Sequence, residues 1–139
     1  MGFADGPVED LEHVGHAVHR SIGGEGEGAG KKLVYGHITP GPDTWYKRVV
    51  DGLQLGAAKY GVELIVLNSD YDVQKELANI DSMITQDVDG LVMFSFNENG
   101  ARIAAEKCKK AGIPVVVVDS AGAIFKQGVE VVAGVDFDW

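Results

Sequence analysis

The chain has 139 residues, 45% of them hydrophobic and 24% charged, with 19 glycines, one cysteine and a formal net charge of −9. That length builds a single core, and the hydrophobic share excludes a wholly disordered chain. A lone cysteine excludes a disulfide framework, and 21 acidic against 12 basic side chains argue against a nucleic-acid surface.

Residues 1–30 differ from the rest. They hold six acidic side chains against Arg20 and eight of the glycines. Val8, Leu11, Val14, Val18 and Ile22 fall near helical spacing, and the stretch then runs into SIGGEGEGAG, a flexible acidic linker by composition. This segment reads as an arm or tether with a short helix. His13, His16 and His19 drift around that helix, so they read as exposed imidazoles rather than a metal face. The segment has neither the basic start nor the apolar centre of a secretory signal.

From Lys31 onward the pattern is regular. LVYGHI at 33–38 reads as a strand, followed by the turn TPGPD and a helix over about 44–60. Its apolar stripe is Trp45 or Tyr46, Val49, Leu53, Ala57 and Tyr60, and Gly61 ends it. VELIVL at 62–67 is the second strand; Asp72 then caps a helix over about 73–86 whose stripe is Leu77, Ile80 and Ile84. GLVMF at 90–94 is the third strand. A helix over about 99–111 follows, with Ile103, Ala104, Cys108 and Ala111 inward. PVVVV at 114–118 and GVEVVAGV at 128–135 are the fourth and fifth strands. Strands and helices alternating at this interval make βαβ units. The strands are continuous apolar runs, which suits parallel strands buried on both faces. The expected fold is α/β, a doubly wound open parallel sheet of about five strands.

Ligands bind such sheets beyond the carboxyl ends of the strands. The loops there carry no GxGxxG, GxxxxGK[ST], HExxH or nucleophile elbow. They carry Thr39, Asp43, Thr44, Trp45, Tyr46, Asn68, Ser69, Asp70, Ser95, Asn97, Glu98, Asp119 and Ser120. Carboxylates and amides pair with hydroxyls, and an aromatic plate covers the C–H face of a sugar ring. The inventory therefore points to an uncharged polyhydroxyl ligand. Asp43 or Thr44 either caps the first helix or reaches the ligand, and Trp45 belongs either to the core or to the site. Asp119, directly after four valines, is hard to explain by packing. Cys108 reads as core, and His37 has no evident partner within its strand. No nucleophile–base pair is visible, so no catalysis, cofactor or metal is expected.

The stretches WYKRVVDGLQLGAAKYGVELIVLNSDYDVQKELANIDSMITQDVDGLVM and AGIPVVVVDS resemble the N-terminal lobe of the type 1 periplasmic sugar-binding proteins. That ribose-binding-protein-like group, with a flavodoxin-like lobe, also includes the lac-repressor effector domains. The resemblance covers residues 31–139 and implies that Asp43 contacts ligand hydroxyls while Trp45 and Tyr46 offer a stacking face. Asp119 and Ser120 match the family's fourth-strand end and would hydrogen-bond the ligand. Phe94, Ser95, Phe96 and Asn97 replace its usual Asn-Pro pair, so Ser95 and Asn97 stand in, on a more apolar rim. The first loop is also longer and richer in proline. The resemblance further implies an extracytoplasmic location and a membrane permease or sensor kinase as partner. It expects a second lobe after residue 139, so this chain would be one half of a clamp. A homodimer or a separate complementing C-terminal lobe would then finish the cleft. The competing readings are a regulator's effector core and a small flavodoxin-like enzyme or receiver.

Overall fold

The structure, a computed structural model, describes residues 30–119 and 121–136. The expected N-terminal arm, its helix, its histidines and Ser120 lie outside the described residues. Leu33 begins the unit that carries the sheet.

Its strands are β1 (Val34–Thr39), β2 (Glu63–Asn68), β3 (Gly90–Phe94), β4 (Val115–Val118) and β5 (Ala133–Val135). Its helices are α1 (Thr44–Tyr60), α2 (Val73–Thr85), α3 (Glu98–Ala111) and α4 (Ala121–Lys126). All five strands are parallel, in the order β2-β1-β3-β4-β5. The α/β architecture read from the sequence is the one observed.

Right-handed crossovers explain the layering. The chain steps from β1 to β2 in one direction and from β2 through β3, β4 and β5 in the other. α1 therefore covers one face of the sheet, while α2, α3 and α4 cover the other. Register agrees: Gly36, Leu91 and Val115 are aligned, as are Met93 and Val117, and they share the α2–α4 face. Gly36 lies so close under α2 that a Cβ there would fall 2.5 Å from the Met83 sulfur. On this face Ile38, Ile80, Met83, Leu91, Met93, Ala104, Cys108, Val117 and Ile124 form the core. Cys108 is buried there, and burial pushes its thiol up to about 11, which keeps it inert.

Helix boundaries follow local chemistry. The Asp72 side chain accepts from the Lys75 N–H at 2.9 Å, so it caps α2 as the sequence suggests. Gly61 and Gly112 end α1 and α3 in the left-handed conformation, at φ 66 and 74.

Four expectations are corrected. No α1 residue is fully buried, and Tyr60, assigned to its stripe, is 75% exposed. The reason is that α1 covers its face above the edge strand β2, so its far side meets solvent. Ala111, assigned inward, is also exposed at the end of α3. The fifth strand shrinks to Ala133–Val135. Val129 and Val131 pack against the core from a loop that leaves α4 through Gly128 at φ 72 and joins the sheet at Val132. The helix α4 was not anticipated at all; its six residues are too few for a helical period to stand out.

His37 sits fully buried in β1 and is not without a partner: its Nδ1 donates to the Val92 carbonyl at 2.9 Å. Its Nε2 has no partner among the described residues. Burial lowers its pKa to about 4, outweighing the Val92 bond. The unfolded chain therefore binds a proton near pH 6.5 that the folded chain refuses until about 4. Stability from this residue is complete above the unfolded value and is lost as pH falls through that window, on the order of 3 kcal/mol at most. H37V is expected to flatten the acid side of the profile, because no buried imidazole is left to take up a proton. Urea unfolding of both proteins between pH 7 and 4 measures this.

Candidate functional site

The order β2-β1-β3 puts the reversal of chain direction between β1 and β3, where the loops after both strands part and leave a crevice. β1 ends in buried Thr39, whose hydroxyl has no partner among the described residues. Pro40 and Gly41 continue it, also buried. A Cβ on Gly41 would collide with the ring of Tyr71. Only glycine lets that ring lie on the backbone of the β1–α1 loop.

Tyr71 is held there by its own loop. Asp70 and Tyr71 adopt left-handed conformations, at φ 51 and 57. Asn68 supports the turn by accepting from the Asp70 N–H at 3.0 Å and donating to its carboxylate at 2.7 Å. Lys75 pairs with Asp70 as well. The Tyr71 N–H donates to the Pro40 carbonyl at 2.8 Å. Its hydroxyl donates to the carboxylate of Asp43, which holds the phenol above its ordinary range.

That bond decides what Asp43 does. It occupies the N-cap position of α1 with extended backbone, yet its side chain makes no capping bond. Its carboxylate faces the rim instead. Tyr46 lies one turn into α1, and its ring centroid is 6.2 Å from Tyr71 and 5.0 Å, edge-on, from Phe94. Phe96 stands 6.1 Å from the other side of Tyr71. The rings of Tyr46, Tyr71 and Phe96 thus make an aromatic wall beside a carboxylate, backed by the buried ring of Phe94. Trp45, in the first turn of α1, is 39% exposed, which places it at the surface rather than in the core.

Ser95 and Asn97 are engaged differently. Ser95 is buried, with its hydroxyl 2.9 and 3.1 Å from the two oxygens of Glu76. Asn97 spends its side-chain oxygen Oδ1 capping α3, accepting from the Gly100 N–H at 2.8 Å, and its side-chain nitrogen lies 3.4 Å from Glu76. Burial pushes the Glu76 carboxyl up, opposed by its bonds to Ser95, Asn97 and the Phe96 backbone. Asp119 ends β4 exposed, at φ 65, with its N–H donating to the Val135 carbonyl at 2.7 Å. Among the described residues no hydrogen bond ties it to the Asp43–Tyr71 pair.

Two residues escaped the sequence reading. Tyr71 lies in a short stretch between β2 and α2 with no periodicity to mark it. Glu76 precedes Ile80 by four residues and Met83 by seven, so a carboxylate on the buried stripe was its signal.

The profile of the family described as "Periplasmic binding protein domain" matches residues 37–139. The chain belongs to this family. A relative is the ABC transporter periplasmic-binding protein YphF of Escherichia coli K12, 29% identical over 104 residues, covering 73% of this chain and 31% of that protein. Another is catabolite control protein A of Priestia megaterium, 29% identical over 117 residues, covering 81% and 33%. Among solved structures, a Mycobacterium smegmatis protein in complex with β-D-fucofuranose is 26% identical with a TM-score of 0.57, covering 63% of this chain and 29% of that one. The chain therefore spans about a third of the length of the curated relatives it matches. The Escherichia coli relative is named as the periplasmic-binding protein of an ABC transporter.

Removing the Asp43 charge should release Tyr71. In D43N, absorbance titration of the tyrosinate band is expected to show a phenol returning towards its ordinary range. A wild-type-like curve would contradict the pairing.

Proposed function

We propose that this chain forms one wall of a cleft that holds an uncharged sugar or polyol, in a substrate-binding protein of the ABC-transporter kind. The observation that carries this reading is the Asp43 carboxylate beside the Tyr46–Tyr71–Phe96 wall, at the crevice between β1 and β3. A pyranose or furanose has an apolar C–H face and a rim of hydroxyls. The aromatic wall suits the first, and Asp43 accepts from the second. The fucofuranose-bound neighbour is consistent with such a ligand.

In this reading Asp43, Trp45 and Tyr46 contact the sugar from the β1–α1 side, and Asp119 with Ser120 contact it from the end of β4. Ser95 and Asn97 serve the site by holding their loop. No residue here acts as a catalyst, and the protein works outside the cytoplasm with a membrane permease as its partner.

Such clefts enclose most of the ligand between facing walls. A two-walled site binding at about 1 μM gains roughly 8.2 kcal/mol; half of that is roughly 4.1, near 1 mM. The chain alone therefore binds weakly. A second lobe, on the same polypeptide, on a second copy or on a separate protein, completes the grip.

A second reading is the effector-binding core of a lac-repressor-type regulator, which the match to catabolite control protein A over 81% of the chain favours. It places the same ligand class on the same rim and differs in the attached partner.

The test is an amide-resolved NMR titration of this chain with D-ribose, D-glucose, L-arabinose and myo-inositol to about 100 mM, well above the millimolar constant expected. One of these should shift the amides around Tyr46, Tyr71 and Phe96. D43N should weaken that response about tenfold or more, the loss of one charge-assisted bond. Silence from all four at those amides would refute the reading.

A further inference from the structure

Glu76 is a carboxylate only 1% exposed, one turn into α2, and it has no ion pair among the described residues. Its partners come instead from three successive residues of the β3–α3 loop. The Ser95 hydroxyl lies within hydrogen-bond distance of both carboxylate oxygens, the Phe96 backbone N–H donates to it, and the Asn97 amide reaches it at 3.4 Å. Ser95 also bridges within the loop, lying 2.6 Å from the Asn97 carbonyl and accepting from the Asn97 N–H at 3.1 Å. The first turn of α3 closes the cradle. A Cβ on Gly100 would overlap a Glu76 oxygen and fall 2.6 Å from the Ser95 oxygen.

The placement matters because of what the two segments carry. Tyr71 lies five residues before Glu76, at the approach to α2. Phe96 lies in the loop that Glu76 gathers. Their rings meet at 6.1 Å, almost perpendicular. Loops move independently unless something ties them. Here one carboxylate ties the β3–α3 loop to the helix that follows Tyr71.

We propose that Glu76 is a positioning residue of the rim: by gathering Ser95, Phe96 and Asn97 around one buried carboxylate it sets Phe96 against Tyr71, so that the two rings form a single wall. The consequence for sugar affinity rests on the cleft reading above; the positioning itself does not.

The experiment uses this chain labelled with fluorophenylalanine, whose five sites include Phe94 and Phe96. F96L and F94L assign the two fluorine resonances. In E76A, and independently in G100A with Glu76 intact, the Phe96 resonance should shift or broaden while that of the core residue Phe94 stays. E76Q, which keeps an acceptor oxygen of the same reach, should restore most of the wild-type Phe96 position. The dissociation constant for whichever of D-ribose, D-glucose, L-arabinose and myo-inositol binds wild type should rise threefold or more in E76A and G100A, and less in E76Q. A general loss of packing would disturb Phe94 equally and would not be rescued by glutamine; either result overturns the proposal. So does an unmoved Phe96 in both E76A and G100A. If E76A does not fold, G100A and S95A carry the same comparison. If wild type binds none of the four sugars, the cleft reading fails, while the fluorine spectra still decide whether Glu76 sets Phe96.

Discussion

A parallel strand can be satisfied on both edges only inside a sheet, and β1 pairs with β2 on one side and β3 on the other. Because the connection to β2 and the connection to β3 depart on opposite faces, the loops after β1 and β3 cannot pack on each other. The gap they leave is a consequence of backbone hydrogen bonding and handedness, not of any side chain. That gap sets Asp43 and Tyr46 on its β1 side and Phe96 on its β3 side, while Asp119 lies beyond it at the end of β4.

What fills the edge of the gap is a small number of committed interactions. Tyr71 lies on the glycine backbone of the neighbouring loop, hands its hydroxyl hydrogen to Asp43 and touches rings on either side. Beneath it Glu76 holds the next loop through Ser95, Phe96 and Asn97. The two carboxylates differ in what surrounds them. Asp43 is exposed and bonded by one phenol, so it keeps lone pairs for a ligand. Glu76 is enclosed, and its acceptor capacity is spent within the protein. Paired roles of this kind divide binding from support among residues of the same chemistry.

Much of the fold was legible because its signals are local. Continuous apolar runs bounded by polar turns mark β1 to β4, and the Asp72 cap and the Gly61 and Gly112 stops lie where short-range backbone sterics and hydrogen bonding put them. β5 and α4 were poorly legible for a physical reason. Val129 and Val131 look like strand residues because they are apolar, but they are apolar to cover the core from a loop. The α4 amino end is capped by Asp136, which accepts from the Ala121 and Gly122 N–H groups from fifteen and fourteen residues away, so no neighbouring residue announces it.

Composition and periodicity alone determined that this chain folds as a parallel α/β sheet and that hydroxyl-binding and aromatic residues gather at one edge of it. Those properties follow from side-chain hydrophobicity and from spacing along the chain. Only the tertiary structure decided that Asp43 faces the rim instead of capping α1, that Ser95 and Asn97 turn inward to Glu76, and that Tyr71 joins the aromatic wall. Each of these depends on a partner from a different loop, 28 residues away for Tyr71 and Asp43 and 19 for Ser95 and Glu76. Distances of that kind are set by how the sheet brings its strand ends together, which no local stretch of sequence encodes.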